Sequence, residues 1–220
     1  MKYYLTLLLF MSFKLQAQQS ENWAVGLNVS PDLDYRFLTK TGSTLGLNYY
    51  LQRKETELPK MGYHVSAMAV YKTDGKLMYE AGLGFSSLGF KTKFAPAEND
   101  WPGNMRTKRA FYYAELPLSV SYTGGEGARI QFIASASLIP ALAVGRARTY
   151  DFDSMPDDKY KGFDIEGFHL FSSISSGVIF NVTEVLSLRL CPEFKVDLFK
   201  EYGNSHLWSL GFNCGIYYSL

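Results

Sequence analysis

The feature that most constrains this chain is two-residue periodicity joined by connections of two alternating lengths. EVLSLRLCPEFKVDLFK, residues 184–200, puts Leu186, Leu188, Leu190, Phe194, Val196 and Leu198 on one side and Arg189, Glu193, Lys195 and Asp197 on the other. Side chains of a β-strand point alternately to its two faces, so the stretch has one apolar and one charged face. Eight segments alternate in this way, at about 22–38, 61–72, 77–92, 110–122, 128–148, 167–181, 184–200 and 206–220. In each, one face is apolar or aromatic and the other polar or small.

The connections carry the second signal. KTDGK, TGGEG and NVTE join strands 2–3, 4–5 and 6–7 as tight turns, the first two with Asp-Gly and Gly-Gly signals. The other connections, at 39–60, 93–109, 149–166 and 201–205, are mostly longer. Short and long alternate, so every tight turn falls at one end. An even strand number with short turns at one end and long loops at the other is the pattern of transmembrane barrels. The sequence therefore predicts an all-β fold: an eight-stranded antiparallel up-and-down transmembrane β-barrel with short periplasmic turns and longer extracellular loops.

A lipocalin-like barrel or soluble sandwich shares the periodicity with its apolar face inward. Three features favour lipid outside: Gly and Ser interleaved on the charged face, aromatics near strand ends on the apolar face, and an apolar final strand.

Residues 1–17, MKYYLTLLLFMSFKLQA, combine Lys2, a short apolar run and a small final residue, and read as a signal peptide, leaving 18–220 as one barrel domain. No later apolar run reaches the length of a membrane helix, so membrane crossing would be by strands. A net charge of +1 gives no basic field for nucleic acid. Outer-membrane lipid is the first expected partner. Cys191 and Cys214 fall on opposite faces and are read as free thiols, and the spacing of Cys and His offers no metal or cofactor site.

The inward face predicts a lumen charge network of Asp32, Asp34, Arg36, Glu80, Glu115, Arg129, Arg189, Glu193, Lys195 and Asp197. Glu80, Arg129 and Arg189 lie near tight turns and form a predicted periplasm-side cluster. Charges in a lumen that side chains fill must pair, which reads as a salt-bridged plug fixing strand register, with an ion path as the alternative. The loops carry the candidate binding residues. KFAPAENDWPGNMRTKR, 93–109, offers Phe94, Trp101, Arg106 and Arg109 beside Lys108, and aromatics with Arg are what interface anchors look like. The 150–164 loop holds five aspartates without the spacing of a calcium loop, and reads as a solvated acidic loop. His64, His169 and His206 all map near the long-loop end, which keeps a rim-active lipid-modifying enzyme as an alternative, although no local motif marks a nucleophile.

The terminal NCGIYYSL, with Asn213, Gly215, Tyr218 and Leu220, resembles the terminal signal of outer-membrane barrels, with Leu220 where Phe or Trp is usual. KMGYHVSAMAVYKTDGKLMYEAGLGFSSLGFKTKF, 60–94, resembles the hairpin of outer-membrane β-barrel proteins common in Bacteroidetes, a group that includes PorT-like proteins. The resemblance implies an outer-membrane location in the cell envelope and leaves the role open, although its PorT-like members suggest an envelope or secretion assembly; the chain is read as a non-enzymatic structural or accessory barrel with envelope or secretion-machinery proteins as partners. Surface binding or adhesion through 93–109 and 149–166 is the alternative.

Overall fold

The computed structural model describes residues 22–38, 44–73, 75–96, 103–125, 128–153, 156–162, 167–199 and 205–220. The expected signal peptide, Trp101 and the turn residues 126–127 lie outside them. The elements are β1 (Trp23–Leu38), α1 (Thr44–Thr56), β2 (Glu57–Lys72), β3 (Leu77–Thr92), β4 (Ala95–Pro96), β5 (Asn104–Glu115), β6 (Leu118–Gly124), β7 (Ile130–Phe152), β8 (Asp158–Gly162), β9 (Phe168–Asn181), β10 (Leu186–Asp197) and β11 (Ser205–Ser219). Side chains of 44–49 are not described.

The sheet is antiparallel and closed. From β2 it runs through β1, β11, β10, β9 and β7 to β5 and β6, then to β3, which pairs back onto β2. Because β5 and β6 share one position, the ring has the eight positions that the periodicity predicts. The strand expected at 110–122 is one position made of two elements. Pro117 has no N–H to give to a ladder, and the break is bridged by Leu116 N–H donating to the Pro140 carbonyl at 2.9 Å and Gly82 N–H donating to the Pro117 carbonyl at 3.0 Å.

Alternation decides what each face does. Leu27, Leu83 and Ile174 point outward at 66%, 71% and 62% exposure. Aromatic girdles bound this belt. Near the turns Trp23 packs on Tyr71 at 5.2 Å between centroids. Near the long connections Tyr63, Phe85 and Tyr112 form a row, and Trp208 contacts Tyr35, Phe37 and Phe194. Tyr63 to Tyr71 on β2 is about the 9–11 residues a tilted strand needs to cross a bilayer. Above the upper girdle the same outward face turns charged, with Arg106 and Lys108 on β5 and Asp151 on β7.

The lumen is layered, which alternation alone did not predict. Next to the tight turns, Met68, Val70, Met78, Ile133, Ile179 and Tyr217 form an apolar layer. Toward the long connections, Leu88, Tyr113, Ile139, Phe171 and Leu207 form another. The buried charges lie between them and just beyond. Cys191 is buried and Cys214 exposed, both as free thiols.

Among the described residues, two of the predicted loops are largely sheet. The 93–109 segment becomes β4 and the start of β5, and 149–166 becomes the end of β7 and β8, so these strands stand above the belt as a paired wall. The 39–60 segment contains α1, and β2 begins four residues early, at Glu57. No described helix is long and apolar enough to cross a membrane, which says nothing of strands.

Candidate functional site

The predicted lumen charges sort into separate groups. In the middle, Lys195 of β10 donates to Glu115 Oε1 at 3.0 Å, Ser86 Oγ donates to the same oxygen, and His64 Nε2 lies 3.4 Å from Oε2. Asp32 accepts from Ser30 Oγ, and Asn213 Nδ2 donates to Glu193 at 3.3 Å. Asp34 is fully buried. Gly62 and Gly211 leave the space that the carboxylates of Asp34 and Asp32 fill, and a Cβ at either would overlap them.

Near the turns, Arg189 Nη1 donates to both oxygens of Glu80, at 2.8 and 3.0 Å, and its guanidinium stacks on Tyr217, with Cζ 4.2 Å from the ring centroid. Ser121 Oγ also donates to Glu80. Arg129 does not join this group. It precedes β7 and is exposed, with Cζ 4.9 Å from the Phe180 centroid. The reason is register: β7 begins at Ile130, so Arg129 belongs to the turn and packs on a neighbouring ring at the barrel's edge.

Toward the long connections, His169 Nδ1 lies 2.7 Å from Asp197 Oδ2, and His206 Nδ1 2.9 Å from the Asp197 carbonyl oxygen. His64 is deeper, beside Glu115, so the three histidines do not converge. Arg36 forms a two-pronged buried pair with Glu57, one prong being Nε to Oε2 at 2.8 Å, and lies over Phe90 at 4.0 Å from its centroid. Arg53 of α1 is 3.9 Å from Glu57, and burial, then Arg36, pushes its guanidinium down to about 10.

The loop candidates divide between the two faces of the wall. On the outward face, Arg106 and Lys108 converge on Asp151, each at 2.6 Å, and Phe94 lies under the Arg106 guanidinium at 4.6 Å. Of the acidic-loop residues, Asp151 is thus neutralised and Asp153 accepts from Asn104 N and Nδ2, both at 3.0 Å. No metal-holding cluster occurs among the described residues.

Arg109 points the other way. With Arg36, Phe90, Phe111, Arg146, Arg148, Tyr150, Asp158 and Tyr160 it lines a cleft of about 650 Å³ at the long-connection end. Sequence reasoning missed Arg146 and Arg148, because strict alternation from Ile130 sends both to the lipid side. A β-bulge reverses them. Tyr112 pairs with Gly145 and Tyr113 with Ala143, so Val144 has no partner on β5 and the side-chain phase of β7 shifts by one. Below the bulge odd-numbered β7 residues face inward, as Ile133 and Ile139 do. Above it Arg146, Arg148 and Tyr150 do. Gly145 inside a strand pattern was the available signal.

A closed sheet with an apolar belt between aromatic girdles and a charged, layered interior defines a transmembrane β-barrel of the outer-membrane class, and the outer membrane is its location. No family model and no curated protein matches the chain. Among solved structures, Neisserial surface protein A is similar with a TM-score of 0.48 and 14% identity, over 91% of this chain and 98% of that one. The attachment invasion locus protein Ail of Yersinia pestis gives 0.38 and 6%, over 90% and 100%. The outer-membrane protease OmpT of Escherichia coli gives 0.41 and 8%, over 92% and 98%.

Proposed function

We propose that this barrel is a non-enzymatic surface-binding protein that works through the wall built by β5, β7 and β8. The observation that carries this reading is the contrast between a filled middle and an open top. The polar middle of the lumen retains a void of about 40 Å³, whereas the wall encloses a cleft of about 650 Å³. Residues on a rigid scaffold that stand clear of the membrane are placed to meet a ligand, and strands hold them more firmly than loops.

The test is a shortened barrel. Residues 95–108 and 147–161 are each replaced by a tight turn, and intact cells bearing either form are applied to an array of surface glycans and matrix proteins. Loss of the bound set with an unchanged heat-modifiable gel shift supports the reading. An identical profile for both forms sinks it.

An accessory role in an envelope or secretion assembly is the second reading, favoured by one feature. The tight-turn end opens into a recess of about 820 Å³ bordered by Lys72, Arg129, Gln131, Asn181, Thr183 and Glu184, a polar mouth that a periplasmic protein could enter. Co-purification of a periplasmic protein that survives removal of the outer wall supports this role, and its absence counts against it.

A further inference from the structure

We propose that the cleft between β5, β7 and β8 binds a phosphate- or sulfate-bearing saccharide, with Arg109 and Arg148 holding the anionic group and Tyr150 and Tyr160 flanking the sugar. The inference rests on the surface-binding role and names its ligand chemistry.

The first ground is charge crowding. Arg109 and Arg148 are direct cross-strand partners, and Arg146 lies two residues from Arg148 on the same face. Like charges directly opposed in a sheet repel. Arg36 is neutralised within the protein by Glu57, and Asp158 is the single carboxylate among the described residues lining the cleft. Arg109 and Arg148, the opposed pair, thus share one acid among the described residues that line the cleft. Burial, then Arg148 and Arg36, hold the Arg109 guanidinium below its ordinary value, so a bound anion relieves an existing repulsion.

The second ground is that the geometry is built. The bulge at Val144 turns Arg146, Arg148 and Tyr150 into the cleft, and Arg148 Nη1 donates to Tyr150 Oη at 3.1 Å. Phe90 supports the Arg36 and Arg109 guanidinium groups at 4.0 and 5.8 Å. Planar guanidinium groups make two parallel hydrogen bonds to phosphate or sulfate oxygens. Aromatic rings with a polar edge suit the mixed faces of a sugar.

The third ground is position. The cleft lies above the upper girdle, in reach of saccharide from two sources: the phosphorylated headgroup of lipopolysaccharide in the same leaflet, or a soluble sulfated glycan.

The experiment is titration calorimetry on the full-length folded barrel in phosphatidylcholine vesicles, with dextran sulfate as probe and uncharged dextran as control. Two double variants are compared. R109Q/R148Q removes the opposed pair. K159Q/K161Q removes the same charge from β8, with Lys161 opposite Ala147 on the other face. The expected result is binding of dextran sulfate only, weakened about tenfold or more in R109Q/R148Q, in line with loss of charge-assisted hydrogen bonds, and unchanged in K159Q/K161Q. Equal weakening in both variants, or no binding by the wild type, overturns the proposal. Adding lipopolysaccharide to the vesicles separates the sources: occlusion of dextran sulfate assigns the headgroup, and unaltered binding assigns the soluble glycan. If the shortened barrel loses its surface partners while R109Q/R148Q keeps them, the saccharide inference falls and the binding role stands.

Discussion

Arg109 on β5 and Arg148 on β7 stand directly opposite each other in the sheet, two like charges where a stable pair would carry opposite ones. Their meeting depends on the single unpaired residue Val144. Deleting Val144 restores simple alternation and sends Arg146, Arg148 and Tyr150 to the outer face, where a one-residue slip moves every side chain of a strand. The apolar belt below is untouched, so the expected product is a barrel with normal heat-modifiable mobility that no longer binds dextran sulfate. Binding at wild-type strength would show that the cleft does not depend on the bulge.

The Lys195–Glu115 pair in the middle of the lumen gives a second prediction. Both side chains are almost fully buried, and the pair is 3.0 Å apart. Removing one partner leaves the other as an uncompensated buried charge, at a cost of about 3–5 kcal/mol. E115Q and K195M each lower the urea midpoint of the folded barrel, and E115Q/K195M recovers most of the loss. A double variant as unstable as the sum of the two would assign the effect to packing instead of charge.

Much of this architecture was legible because the two-residue period is enforced by lipid on one side and the lumen on the other. That period sends Leu190 and Leu198 outward and buries Asp32, Asp34 and Arg36 on the opposite face, and the alternation of connection lengths gave the direction of every strand. What escaped depended on local breaks in the period. Pro117 splits one strand, Val144 shifts another, and Arg129 falls just outside the first residue of β7. The apolar lumen layers escaped for a different reason. Ile133 and Phe171 are chosen by what meets them across the barrel, which one strand's pattern does not contain.

Acid should loosen the outer wall. Desolvation opposes ionisation of Asp151, but hydrogen bonds and charge from Lys108 and Arg106 outweigh it and hold the carboxyl below its ordinary value of 3.8. A depressed carboxylate contributes stability that is complete above its unfolded value and is lost as pH falls through the folded one. Protease cleavage within 149–162 is therefore expected to stay flat from neutral pH to about pH 5 and to rise below about pH 4. D151N is expected to cleave at the elevated rate throughout. Equal cleavage of wild type and D151N at neutral pH would remove Asp151 from the account.

The two thiols separate by face. Cys191 is buried in the lumen layer near the turns, and Cys214 is exposed on the belt. In detergent, where the belt is reachable, a maleimide small enough to enter the micelle labels one site per folded chain and two after boiling. C214S then shows none while folded, since a buried thiol is inert. Rapid labelling of Cys191 in the folded C214S barrel would mean that the turn-side layer opens to solvent.

The filled lumen predicts electrical silence. An ion crossing from the recess at the tight turns would have to displace Met68, Val70, Ile133 and Tyr217, then the Glu115–Lys195 pair, then Phe171 and Leu207. A void of only about 40 Å³ lies between those layers. An eight-stranded ring has an interior just wide enough for its own side chains. In planar bilayers at molar salt the full-length barrel is expected to give no steady conductance steps. Phe171→Ala on its own should stay silent too, because the turn-side layer and the paired charges still close the path. Long-lived open steps from the wild type would show that these layers part together, and the barrel would then have to be treated as a gated conduit.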